Sequence, residues 1–212
     1  MGYDDVLYTL VVFILLGIER FLYGYLYCYP TQFKTDIRRG TFGTALQTEA
    51  LYWKCAMRLG MYMKVCQFTV IGYDLIQTCD ALHDPFMFSF RPSHLCYVGV
   101  SMLATGQLLN SWVFKKLGAI GVYYGHELGY TVPRITGFPY NIWVISDPQY
   151  WGVILTIWGL YVTLGTSSFL VPLIETFWYG ASITVLEHDR GRTVAYSLFG
   201  EDLPGVSSAR VA

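Results

Sequence analysis

From Pro148 to Leu186 the chain carries a single charged residue, Glu175. A helix needs about 20 residues to cross the hydrocarbon core of a bilayer. This stretch is too long for one such helix and right for two. Gly165-Thr166-Ser167-Ser168 has the composition of the turn between them. Ser146-Asp147-Pro148 reads as an N-cap followed by proline at the first helical position, where its missing N–H costs nothing. The spacing predicts a helical hairpin, out from residue 148 and back to residue 187. Composition agrees, since 54% of the chain is hydrophobic and 14% charged, against about 25% charged in a typical soluble domain.

Other segments extend the pattern. Val6 to Ile18 is uncharged, Glu19-Arg20 interrupts, and Phe21 to Phe33 is uncharged again. The two opposite charges can pair, or Arg20 can snorkel to an interface. Tyr23, Tyr25, Tyr27 and Tyr29 mark that interface, ended by Pro30. Residues 51–76 form the weakest candidate, because Lys54, Arg58 and Lys64 share one arc of a helical wheel. Leu95 to Phe114 is uncharged and closed by Lys115-Lys116. Aromatics reach 17%, with 18 Tyr and 6 Trp, as wide interfacial belts require. The expected fold is an all-α, polytopic transmembrane helical bundle. It has four to five membrane segments, ends in a C-terminal hairpin and forms a single domain over residues 1–212.

Several function classes are disfavoured. A net charge of -1 gives no electrostatic footprint for nucleic acid. Cys28, Cys55, Cys66, Cys79 and Cys96 form no C-x-x-C pair and have no histidine at zinc-ligand spacing, so they read as buried thiols. The start, Met-Gly-Tyr-Asp-Asp, is acidic where a cleavable signal is basic. Targeting is therefore expected from the membrane segments. No strand–glycine-loop–helix of a nucleotide-binding sheet is present in the pattern.

Four clusters could carry chemistry. The first is Ala104-Thr105-Gly106-Gln107; the second is a glycine ladder at Gly118, Gly121, Gly125 and Gly129 enclosing His126-Glu127. The third runs from Arg134 through Gly137-Phe138-Pro139-Tyr140-Asn141 to Pro148-Gln149-Tyr150-Trp151-Gly152, and the fourth is Glu187-His188-Asp189-Arg190. From Gly106 to about Arg190 this ordered set resembles the phosphatidylethanolamine N-methyltransferase family. That family's L-G-x-x-G-x-x-x-G matches Leu117–Gly125, its R-x-T-x-F-P-F-N matches Arg134–Asn141, and its P-M-Y-W-G matches Pro148–Gly152. Its G-x-G motif reads Ala104-Thr105-Gly106 here, and its Glu-Glu pair reads Glu187-His188.

The resemblance implies S-adenosyl-L-methionine as cofactor, a phospholipid amine as substrate and the endoplasmic reticulum membrane as location. Cofactor contacts are expected at Ala104, Gly106, Arg134, Glu187 and His188. Catalytic candidates are His126, Glu127, Asn141 and Tyr150. The residue types suit the task. A carboxylate such as Glu187 suits an ammonium or a ribose diol, and an arginine fork such as Arg134 suits a carboxylate. A glycine admits close approach, and a tyrosine face suits a sulfonium. No metal is required for an in-line methyl transfer. Two rival readings are an isoprenylcysteine carboxyl methyltransferase-like enzyme and a non-catalytic membrane protein or small transporter.

With the N-terminus outside, Lys34, Arg38, Arg39, Lys115, Lys116, Arg134, Arg190, Arg192 and Arg210 all fall inside, and Arg91 alone falls outside. That is the bias cytoplasmic loops carry. Glycosylation tags at each terminus check it: the N-terminal tag should be modified and the C-terminal tag left bare. A modified C-terminal tag would reverse the orientation.

Overall fold

The computed structural model describes residues 3–79, 93–132, 138–139 and 147–186, and all its named elements are helical. In chain order they are α1 (Tyr3–Cys28), α2 (Pro30–Arg39), α3 (Thr44–Gln47), α4 (Tyr52–Thr78), α5 (Ser93–Val122), α6 (Pro148–Leu164) and α7 (Leu170–Ala181). A π-helical turn, Ser182–Leu186, continues α7. The all-helical expectation holds for the described residues.

Among the described residues one helix, over Val6–Cys28, is long and apolar enough to cross a membrane, and Leu170–Val185 is a shorter apolar helix. The expected four to five spans thus reduce to one on this measure. The reason lies in the segments themselves. α4 carries Lys54, Arg58, Lys64 and Asp74. The hairpin arms α6 and α7 run 17 and 12 residues, short of the about 20 a straight span needs.

The helices are apolar outside and partly polar inside. On α1, Leu7, Leu10, Val11, Ile14, Ile18 and Phe21 face outward. Val12, Leu16, Glu19, Arg20, Tyr23 and Leu26 face inward, at the three-to-four-residue spacing of one helical face. α4 repeats the pattern, with Met61, Val65 and Phe68 exposed and Gln67 and Asp74 buried.

Two apolar clusters result. One joins Val12, Leu16, Ile71, Ile157, Tyr161, Val171, Ile174 and Trp178. The other joins Leu26, Phe33, Ile37, Leu46, Cys55, Ala56, Leu59 and Leu128. Along α1 and α4, Glu19-Arg20 and Lys64/Gln67 fall between the two.

The hairpin forms as read. Pro148 occupies the first turn of α6, and Gly165 ends that helix with φ 70°, a conformation glycine adopts without a Cβ penalty. The arms run antiparallel, since Trp158 Nε1 donates to Thr176 Oγ1 at 2.8 Å near the turn and the Tyr150 and Tyr179 rings meet at 5.4 Å at the far end. The turn is tied to α4 by Ser167 N–H donating to Thr78 O at 2.8 Å.

The closest helix pair is α5 against α6. Gly99 faces Gly159, and Gly106 faces Gly152, two paired glycines seven residues apart on each antiparallel helix. A Cβ at Gly106 would lie 2.5 Å from Gly152 O and Thr156 Oγ1; one at Gly159 would lie 2.5 Å from Leu103 N and 2.7 Å from Gly99 O. Such seams let helix backbones touch. The expected glycine ladder further on differs. Gly118 and Gly129 take positive φ, 64° and 81°, and turns replace helix from Tyr123 to Gly129. Those glycines bend the chain rather than line a helix stripe.

Gly159→Ala should therefore destabilise the bundle by about 1–3 kcal/mol through overpacking. Gly72→Ala, where a Cβ meets nothing within 4 Å, should be neutral or gain up to about 1 kcal/mol of helix propensity. Thermal unfolding midpoints in detergent check the contrast, and equal shifts would contradict the seam.

Candidate functional site

A cavity of about 260 Å³ lies between the two apolar clusters. α1 contributes Glu19, Arg20 and Tyr23; α4 contributes Lys64, Gln67, Phe68 and Ile71. α5 and the following turn supply Gln107, Asn110, Phe114, Tyr123 and Tyr124. α6 supplies Gln149, Tyr150, Val153, Thr156 and Ile157, and α7 supplies Tyr179.

Its wall is a charge network. Arg20 Nη2 lies 2.6 Å from Glu19 Oε2, and Lys64 Nζ lies 2.9 Å from the same oxygen. Lys64 Nζ also donates to Gln67 Oε1 at 2.8 Å and to Tyr179 Oη at 3.1 Å. Gln67 then donates to Glu175 Oε1 at 2.6 Å, so Glu175 is held behind Gln67. The spacing of Lys64 and Gln67, three residues on one helix, lets one face serve both contacts.

The Arg20 side chain is 2% exposed, and three tyrosine rings surround its guanidinium. Centroid distances are 4.3 Å to Tyr179, 4.9 Å to Tyr23 and 5.2 Å to Tyr150. Ring faces attract a cation at this range. Yet Arg20 Nε and Nη1 have no hydrogen-bond acceptor among the described residues. Tyr150 Oη and Tyr124 Oη are 3.0 Å apart, which fixes the Tyr150 ring at the cavity wall. Tyr123, just past α5, has its phenol held above its ordinary range by burial and, secondarily, by the Glu19 carboxylate.

The sequence candidates distribute unevenly. Tyr150 lines the cavity. Gly106 is buried in the α5–α6 seam, its open side filled by Gly152 O and Thr156; in this structure it admits a helix. Ala104 is exposed on the outer face of α5. His126 is exposed and Glu127 half-buried in the turn after α5, and neither lines the cavity. Arg134, Asn141, Glu187 and His188 lie outside the described residues.

Sequence reasoning gave Glu19, Arg20 and Lys64 no role beyond pairing or a polar stripe, and left Gln67 unnoticed. One signal could have found them. Ionisable residues within an apolar segment face the bundle interior and mark function by default.

Residues 95–190 match the family model for phospholipid methyltransferases. A stretch of 56 residues is 45% identical to phosphatidyl-N-methylethanolamine N-methyltransferase of Arabidopsis thaliana, covering 26% of this chain and 33% of that protein. Another of 66 residues is 38% identical to phosphatidylethanolamine N-methyltransferase B of Dictyostelium discoideum, covering 31% of this chain and 32% of that protein. The matches span about a third of each relative's length. No solved structure matches the chain. The matched segment contains α5, α6 and α7, the helices that carry the glycine seam, Tyr150 and Tyr179. Through that segment the chain is similar to the phospholipid methyltransferase family.

Proposed function

We propose that this protein uses S-adenosylmethionine to N-methylate the ethanolamine head group of phosphatidylethanolamine, its mono- and dimethyl derivatives, or both. The observation that carries this reading is the place of Tyr150. It belongs to the segment that matches phospholipid methyltransferases, and it faces a buried charge network inside a bundle whose outer surface is apolar. Exposed apolar side chains in such number suit lipid better than water, so we place the bundle in a bilayer. The endoplasmic reticulum is the membrane the family resemblance suggests.

When bound, the cofactor supplies an electrophilic methyl group on a sulfonium. The chain's own contribution is positioning, which can carry much of the barrier reduction in a two-reactant step. Among the described residues Tyr150 fits the cofactor, its ring suited to a sulfonium. Gly106 does not offer an open cradle there, because α6 fills it. Arg134, Glu187 and His188 remain the proposed holders of the amino-acid and ribose ends. The accepting amine must give up its ammonium proton before its lone pair can form the new N–C bond. A nearby carboxylate or histidine is the expected acceptor.

Membranes expressing the chain, incubated with radiolabelled S-adenosylmethionine and resolved by lipid chromatography, test the reading. Label should appear in methylated phosphatidylethanolamines. Label on protein carboxyl groups, or none on lipid, would contradict it. Glu187→Gln should weaken cofactor affinity roughly ten- to hundredfold, the cost of one charged hydrogen bond, with membrane expression intact. Arg134→Ala should raise the cofactor KM, with only partial rescue by Arg134→Lys because a point charge cannot replace the fork. Unchanged cofactor dependence in both well-folded variants would remove these residues from the site.

A further inference from the structure

The cavity carries a feature that neither the family match nor the motifs account for. Arg20 is almost fully buried, and two of its three guanidinium nitrogens, Nε and Nη1, lack an acceptor among the described residues. Leaving charged donors unsatisfied in a dry interior is expensive. Its remaining nitrogen is anchored to Glu19, and the flanking tyrosines fix the plane of the fork. Each free nitrogen shares a separate forked edge with Nη2, so the fixed guanidinium offers preorganised donors to an oxyanion. Asn110 Oδ1, also on the cavity lining, is buried without a donor among the described residues.

We propose that the free donors of Arg20, Nε or Nη1, bind the phosphodiester of the lipid substrate, with the amine end of the head group turned toward Tyr150; this rests on the methyltransferase reading above. Two observations favour a lipid over the cofactor's carboxylate as the source of the oxyanion. Arg20, Glu19, Lys64 and Gln67 come from α1 and α4, outside residues 95–190 that match the family. The cavity is also bordered by Phe68 of α4 and Phe114 of α5. These rings are 64% and 45% exposed on the outward apolar surface. The cavity therefore opens sideways between α4 and α5, where a lipid can insert its head group and leave its acyl chains along the helices. A water-soluble cofactor has no reason to enter through apolar rings.

The test is binding to the purified full-length chain, read apart from turnover. Dihexanoyl phosphatidylethanolamine and S-adenosylhomocysteine are titrated separately against wild type and Arg20→Lys. The substitution keeps the charge and removes the fork. The lipid dissociation constant should rise about ten- to hundredfold, with S-adenosylhomocysteine affinity within about twofold. Weakened S-adenosylhomocysteine with unchanged lipid would reassign Arg20 to the cofactor and overturn the proposal. Two unchanged affinities, or an equal loss of both, would make Arg20 a purely structural residue and overturn it too. Wild type supplies a measurement that does not depend on the variant folding. Dihexanoyl phosphatidylethanolamine should raise the unfolding temperature, while dihexanoylglycerol, which lacks the phosphate, should not; equal stabilisation would sink the phosphodiester contact. Wild type that binds the lipid but transfers no methyl group would leave the subsite standing and remove the methyltransferase reading. Methylation of lipid with an unaffected Arg20→Lys would do the reverse.

Discussion

A guanidinium buried at the middle of α1 sets the terms for the rest of the molecule. Arg20 cannot stay charged in an apolar interior unless other groups compensate it, and the surrounding helices supply them. Glu19 comes from the same turn, Tyr23 from the next, Tyr150 from the start of α6 and Tyr179 from the end of α7. Lys64 and Gln67 extend the network to α4 and Glu175. Removing one member of such a network would cost about 3–5 kcal/mol, because the others would be left buried and unpaired. The network thus binds α1, α4, α6 and α7 together.

That arrangement separates two apolar clusters with a polar layer. A second polar tie lies at the far side of the first cluster, where Tyr8 and Tyr161 donate to Asp74 at 2.9 and 2.8 Å. Both carboxylate oxygens of this buried group have partners, so it reads as architecture. The contrast with Arg20 is instructive. Equal burial with full satisfaction belongs to the frame, whereas equal burial with unsatisfied donors on a cavity wall belongs to a ligand. The α5–α6 glycine seam works in the other direction. It brings two backbones into contact, and Tyr150 of α6 and Tyr179 of α7 meet Arg20 of α1.

The hairpin was legible because its signals are local. One charge between Pro148 and Leu186, a proline at the start and a glycine at the turn suffice to predict it, and each appears where expected. Tyr150 was singled out through its motif, and it lines the cavity. Gly106 was seen but read toward the cofactor, since a sequence cannot tell a glycine that admits a helix from one that admits a ligand. Only the matching spacing of Gly152 and Gly159 on α6 distinguishes them, and it needs the antiparallel pairing to be known. Arg20 was underread for a similar reason. Adjacent Glu19-Arg20 is enough to suggest mutual pairing. That the pair leaves two nitrogens over becomes visible only when four helices converge on it. His126 and Glu127 drew attention as titratable residues inside a glycine run, yet the turns formed by those glycines carry them away from the cavity.

The central claim is that the buried Arg20 edge receives the lipid phosphate beside Tyr150. An experimental map of the full chain in a lipid nanodisc, with phosphatidylethanolamine and S-adenosylhomocysteine present, tests it most directly. The account predicts head-group density in the cavity between α1, α4 and α6, with a phosphate oxygen within about 3 Å of Arg20 Nε or Nη1. A head group bound elsewhere, with Arg20 facing the cofactor's carboxylate or only Glu19, would contradict it.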